Sequence, residues 1–361
     1  HTRPPKNLQF KITLDGRPLG GRDQVAVGLV PLFGDFKAQS STSVLPILLY
    51  SGRETKHNLK QGMGPLADEM TKVKDNGLDL GDMGIFSVSY ILCCDMSTLW
   101  KVFPDCEDAG GDKFCTWCDC TKACRHELGN VAWARLRTDL VCIFPVGLTD
   151  IVFCSLHARM RIVGKLLKQL AQSVWNRPAK DGGGAAGVKK LAKAVRTEAH
   201  MTSFSIDEKT RAPSALIGTN CTKILLAYVN IVSSVEAPNL LPITLNIWAD
   251  FLFLDQAMRA PTAVVEKLYT RPVVDKRIKN LEYNYQLRYA EAQEDCSGDV
   301  DDYKMDLDAG MVNYYIHTVC AHLSDMLERH GSLGPLSQEG FEASHKVHRM
   351  IYAKQTNRDG G

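Results

Sequence analysis

The sequence predicts an α/β protein: a mixed β-sheet followed by a large, mostly helical insertion. Three patterns carry the prediction. Residues 7–15 alternate, with Leu8, Phe10, Ile12 and Leu14 on one side and Gln9, Lys11, Thr13 and Asp15 on the other, the period of a half-buried strand. Residues 85–94 are almost continuously apolar, as in a central strand covered on both faces. Beyond residue 155 the period changes, and Met160, Val163, Leu167 and Leu170 recur at helical spacing.

The remaining elements follow in chain order. The first strand is expected to stop at Gly16-Arg17-Pro18-Leu19-Gly20-Gly21, because glycine and proline favour a turn there. Asp15 would then end the strand on its polar face. Residues 25–33 and 43–50 read as two further strands. Residues 54–75 read as a helix through Leu59, Met63, Leu66, Met70 and Val73, interrupted by Gly62, Gly64 and Pro65. The strand at 85–94 ends at Cys93-Cys94-Asp95, and 96–103 restarts as a helix. Strands and helices alternating in this way make a sheet layer. After the helix at 155–175 come a loop at 176–187 with Gly182-Gly183-Gly184 and a basic helix at 188–197. Apolar helical stretches follow at 221–234 and 240–270, then helices at 311–329 and 339–354. In the last helix Ala343, Val347, Met350 and Ile351 are expected to face the core. Glu342, His345, Lys346 and Arg349 would share the other face. The expected division is a sheet core at 1–125, the insertion at 126–330 and the C-terminal helix at 331–361.

A chain of 361 residues exceeds one ordinary core and predicts two or three units. The 45% hydrophobic and 23% charged content fits a soluble globular protein. No run of about 18 uncharged apolar residues occurs, so no membrane span is expected. No charged segment followed by an apolar one opens the sequence, so no signal peptide is expected, and the start reads as a cut within a longer product. The net charge of +2 does not itself point to nucleic acid. The basic stretch at 159–211 suits either a phosphate backbone or a solvated helix face. Twelve cysteines, unevenly spread and without a signal sequence, predict reduced thiols and a metal site rather than disulfides.

Three acids stand out by position: Asp15 and Asp95 at strand ends, and Glu342 near the start of the last helix. Carboxylates at strand ends can share one crevice and hold magnesium or manganese. Two such ions about 4 Å apart would activate an attacking oxygen and stabilise a leaving one. Asp15 equally suits the turn at Asp15-Gly16, and Asp95 suits the cap of the following helix. Cys115-Thr116-Trp117-Cys118 is half of a zinc site. Its other ligands could be Cys120, Cys124 and His126 nearby, or His317 and His322 far away. Positions five apart on an ideal helix diverge by about 140°, so that histidine pair is expected to need a helix end or distortion.

Taken together, Asp15-Gly16, the strand ending at Asp95, Cys115-x2-Cys118, His317-x4-His322 and Glu328-Arg-His-Gly-Ser-Leu-Gly…Glu-Gly-Phe-Glu342 occur in an order that resembles the catalytic core of the V(D)J recombinase catalytic subunit and its relatives, the Transib transposases. The resemblance spans roughly 7–354, densest at 85–125 and 313–352 and thin across 130–310. It implies an RNase H-like core with a zinc-binding helical insertion. It implies that Asp15, Asp95 and Glu342 are catalytic and bind two magnesium (or manganese) ions. It further implies one structural zinc on Cys115, Cys118, His317 and His322. Glu54 lies near a further family acid. Lys346, Arg349 and the basic residues of 159–196 become candidate phosphate contacts. The implied partners are double-stranded DNA, a second copy in a homodimer and an accessory recombinase subunit, in the nucleus. The implied reaction nicks one strand with water. The freed 3′-hydroxyl then attacks the opposite strand, giving a hairpin, or a target DNA. The family's upstream nonamer-binding and dimerising region and its RING domain do not occur in these residues. A domesticated, inactive zinc protein that binds DNA or protein is the alternative, as is an RNase H-like nuclease without strand transfer.

Overall fold

The structure, a computed structural model, describes residues 7–19, 22–34, 37–107, 111–121, 136–294 and 313–356. Its centre is a mixed six-stranded sheet. β1 (Asn7–Leu19), β2 (Arg22–Pro31) and β3 (Leu45–Ser51) form an antiparallel meander. Helix α1 (Lys56–Asn76) crosses the sheet. The short β4 (Leu78–Asp79) leads to β5 (Ile85–Cys94), which lies parallel to β1. β4 pairs with the start of β5 and β6 (Ile151–Phe153) with its end, both on the edge away from β1. The resulting order is β3-β2-β1-β5.

β1 runs on through Gly16 and Pro18 to Leu19, where the sequence predicts a break. β2 pairs along that whole stretch, from Asp15↔Ala26 to Leu19↔Arg22, and cross-strand hydrogen bonds override local turn preference. The middle of the polar face of β1 is also covered. Ile12 and Leu14 are buried on one face, and Lys11 and Thr13 are fully buried on the other. Alternation correctly marks one apolar face. It does not reveal that the segment leading into the last helix covers the second.

Helix α2 (Met96–Val102) starts directly after β5, and α3 (Ser155–Asn176) directly after β6. Parallel strands thus deliver two helix starts to one sheet edge. The insertion continues through α4 (Gly184–Glu198), α5 (Gly218–Leu226), α6 (Tyr228–Ser233), α7 (Leu241–Arg259), α8 (Thr262–Leu268) and α9 (Arg271–Glu294). Two stretches expected to be single helices are broken, at Ala227 and at Pro261. Proline lacks the amide a continuing helix needs. Helix α9 has weak apolar periodicity, and the sequence reading did not single it out. Helices α10 (Tyr314–His330) and α11 (Glu339–Thr356) complete the fold. One hydrophobic core runs from the sheet through the insertion. Among the described residues no helix is long and apolar enough to cross a membrane.

Helix α11 presents a different face from the one its apolar residues predict. Ala343, Val347 and Met350 are exposed, whereas Phe341, Ser344 and His345 are buried. The side chain of Ile351 lies outside the described residues. The ring of Phe341 joins Ala26, Val30 and Val44 on the second face of the sheet. A Cβ on Gly28 would lie 3.0 Å from that ring, so only glycine leaves room there. This anchor rotates the helix, and the positions three and four residues on turn inward with it.

Two residues of the basic stretch, Arg159 and Arg177, serve the interior. Arg159 pairs with the buried Asp255, which also binds Arg259. Glu236, with no exposed side-chain surface, binds Arg177 and Arg288 and accepts from Thr244 Oγ1 at 2.9 Å. Removing one member of a buried pair strands its partner's charge. Glu236→Ala is therefore expected to lower the unfolding free energy by about 3–5 kcal/mol. Lys190→Ala, on the exposed side of α4, should change it by less than about 0.5 kcal/mol. Urea unfolding of the two variants measures both.

Candidate active site and metal centre

The register of β1 against β5 places two aspartates side by side. Ile12 is the partner of Leu92. Asp15 and Asp95 each lie three residues further along parallel strands, and so stand level at the carboxyl end of that pairing. Asp95 also caps α2, accepting from Thr98 N at 2.7 Å. Glu54 is drawn to the same edge. Its Oε2 accepts from Gly16 N at 2.8 Å, and its Oε1 accepts from Thr98 Oγ1 at 2.6 Å and Lys101 Nζ at 3.1 Å. A Cβ at Gly16 would meet Glu54 Oε2 at 2.5 Å, so this contact requires glycine next to Asp15.

Glu342, in the first turn of α11, faces this edge from the other end of the chain. Its Oε1 lies 3.3 Å from His157 Nε2, in the first turn of α3. His345 Nδ1 lies 3.5 Å from Asp15 Oδ2. Their proximity shows in the acid strengths. Burial, then the charges of Asp95 and Glu54, push the Asp15 carboxyl up to about 7, with His157 opposing and Glu342 adding to the rise. Burial also raises Glu342, against the attraction of His157. Burial disfavours the charged form of His157, but the Cys154 sulfur and the Glu342 and Asp95 carboxylates outweigh it and raise its pKa to about 9. Carboxylates that repel one another and keep water access are poised to take up cations. Asp15 retains 36% of its side-chain surface and Glu342 retains 39%.

The second site is a closed one. Cys115, Cys118, His317 and His322 are all buried, and their ligand atoms lie within 4.8 Å of one another. Among the described residues it is the one group of three or more potential ligands so tightly drawn; Asp15, Asp95 and Glu342 do not converge that closely. Cys115 Sγ is 3.3 Å from His322 Nε2, and Cys118 Sγ is 3.4 Å from His317 Nε2. A tetrahedral zinc with ordinary Zn–S and Zn–N bonds spaces sulfur and nitrogen by about 3.5 Å. Two thiols and two imidazoles at that spacing, sealed from water, can hold a zinc ion. The Cys118 thiol is held well below its ordinary range, first by its hydrogen bond to Cys115 and then by His317 and His322. Burial and the neighbouring Cys118 raise Cys115 in turn.

Helix α10 is continuous through both histidines, so neither a helix end nor a break is needed. The rings reach toward one another from positions five apart, with centroids 5.7 Å apart. Imidazole length supplies what the helical angle withholds. Around the quartet, Trp117 Nε1 donates to Ile151 O at 3.1 Å and Arg137 donates to Cys115 O at 3.2 Å. The knuckle is thereby fixed to the strand beside β5.

Cys120 is buried and bonds the Thr121 carbonyl at 3.4 Å; Cys124 and His126 lie outside the described residues. Lys346 is exposed on α11, and the side chain of Arg349 lies outside the described residues. His157 escaped the sequence reading because the three-residue β6 before it is too short to show a period. No protein-family model matches the chain, and no curated protein matches it.

Two outcomes follow. Cys115→Ser with His322→Ala should abolish zinc binding at the quartet and lower the melting temperature of the zinc-supplemented protein, as read by metal content and thermal unfolding. One zinc per chain retained in that double variant would instead point to Cys120, Cys124 and His126. For Asp15, the folded pKa lies above the ordinary carboxyl value. Its contribution to stability is therefore fully present below that ordinary value and is lost as pH rises through about 7. Without added magnesium, Asp15→Asn should melt higher than the parent at pH 8, and the gap should close by pH 4.

Proposed function

We propose that this chain is the catalytic core of a metal-dependent DNA transposase or recombinase of RNase H-like fold. The level placement of Asp15 and Asp95 beneath Glu342 is the observation that carries the reading. Three acids from three distant parts of the chain meet where two parallel strands end, beside a fourth at Glu54. The sheet supports the fold assignment: an antiparallel meander with two further strands added parallel to its first, in the order β3-β2-β1-β5-β6. The ordered motifs of the sequence supply the resemblance to the recombinase and Transib proteins.

Asp15, Asp95 and Glu342 would hold magnesium or manganese. When bound, the ions lower the pKa of a coordinated water and neutralise charge on the phosphodiester. The carboxylates would align an attacking water against phosphorus; as that water loses a proton and its oxygen forms the new P–O bond, the bond to the 3′-oxygen would break and the 3′-oxygen would take up a proton. His157 stands beside Glu342 and His345 beside Asp15, orienting both acids. The product strand carries a free 3′-hydroxyl, the nucleophile for hairpin formation or transfer to a target. Zinc in the Cys/His quartet would tie the start of the insertion to α10. From there only the turn after Gly331 separates the tie from the helix of Glu342.

Plasmid nicking in magnesium or manganese, with the full-length protein and its Glu342→Gln variant, tests the proposal. The variant should lose roughly a hundredfold or more of the activity, beyond what outer-shell partners usually cost, with zinc content unchanged. A folded, zinc-loaded parent that binds DNA and leaves the plasmid intact would favour a domesticated binding protein. Nicks without hairpins or joined products would favour a simple nuclease.

A further inference from the structure

Lys11 is fully buried on the second face of β1. Among the described residues no carboxylate lies within 4 Å of its ammonium. It points instead to three carbonyls, donating to Ser337 O at 2.7 Å, Pro335 O at 3.0 Å and Ala38 O at 3.5 Å. Two of these belong to the turn that leads into α11. Burial lowers its pKa from the usual lysine value, so the arrangement is costly to the charged form. An apolar side chain would cover the sheet at lower cost. What the ammonium adds is direction, since it fixes several carbonyls of one turn around a single point.

The next polar residue on that face completes the tie. Gln338 Nε2 donates to Thr13 Oγ1 and to Leu14 O, each at 3.0 Å. Gln338 N meets Cys154 Sγ at 3.4 Å, and Gln338 O accepts from Glu342 N at 2.9 Å. Leu14 directly precedes Asp15. One end of the tie is thus a peptide bond from Asp15 and the other a hydrogen bond from Glu342, although 327 positions separate the two acids. Lys11 is not among the groups acting most strongly on the Asp15 charge, which are Asp95, Glu54, His157 and Glu342. Its effect is therefore one of placement.

We infer that Lys11 and Gln338 are positioning residues that set the spacing of Asp15 and Glu342 for divalent-metal binding; the inference rests on reading that edge as a metal-dependent site. Metal sites lose about ten- to a hundredfold in affinity when the partners that orient their ligands are removed.

The test is a manganese titration of the intact, zinc-loaded protein, followed by the electron paramagnetic resonance of the free ion. Gln338→Leu and Lys11→Met should weaken manganese binding about ten- to a hundredfold. Thr13→Val should weaken it by about tenfold at an unchanged melting temperature, and Thr13→Ser, which keeps the hydroxyl, should restore it. If Lys11→Met does not fold, Gln338→Leu and the Thr13 pair decide. Binding in Gln338→Leu and Thr13→Val within twofold of the parent would overturn the inference. If the parent binds no manganese that Glu342→Gln abolishes, the functional reading fails, and hydrogen exchange decides the tie by itself. Faster exchange at residues 339–343 in Gln338→Leu upholds it, and unchanged exchange overturns it.

Discussion

The parallel pairing of β1 with β5 is the constraint on which the site depends. A parallel register allows no local adjustment, because a slip of one residue sends every side chain to the opposite face. With Ile12 fixed opposite Leu92, Asp15 and Asp95 come level with no further device. The fully buried Ile12 and Leu92 enforce that register. The rest of the architecture answers a single problem, which is how to bring Glu342 from the far end of the chain to the same edge.

Several ties solve it together. The Cys/His quartet joins the start of the insertion to α10. The Tyr315 hydroxyl of that helix accepts from Met96 N at 3.3 Å, one residue past Asp95. Lys11 and Gln338 join β1 to the turn before α11. Phe341, seated over Gly28, sets the rotation of α11. Because each tie fixes a different degree of freedom, the helices between them need only pack. Their interior charges, such as Glu236 and Asp255, are closed within the insertion.

The sheet was legible in the sequence where a face alternates or a run is uniformly apolar. The strand at 85–94 and the helix at 155–175 match their patterns closely. Elements whose signal is non-local were not legible. β6 is three residues long and exists through pairing with β5. The polar side of β1 looks solvated until the chain returns to cover it. The same blindness hid Lys11 as a buried residue, inverted the face of α11 and left His157 unremarked. In the Cys/His quartet, local spacing left two ligand sets open. The helical angle argued against the pair that the fold brings together, because it counts Cα directions and ignores the reach of an imidazole.

A contrast among the acids bears on whether the carboxylate edge is structural or functional. Where this protein uses a buried acid to hold itself together, it matches it with arginine. Asp255 has Arg159 and Arg259, Glu236 has Arg177 and Arg288, and Asp250 has Arg277. Planar, permanently charged guanidinium suits that task. At the sheet edge the pattern stops. Glu54 alone takes a lysine, and Asp15 and Glu342 face histidines at 3.5 and 3.3 Å. An imidazole lacks the fork of donors with which a guanidinium can claim both carboxylate oxygens. Burial, with the charges of Asp95 and Glu54 added, pushes the Asp15 carboxyl up to about 7, and no arginine stands beside it among the described ion pairs. Leaving mutual repulsion unrelieved costs stability, and structural needs do not call for it here. Carboxylates left uncompensated in this way are poised to take up divalent cations, which is what the proposed function asks of them.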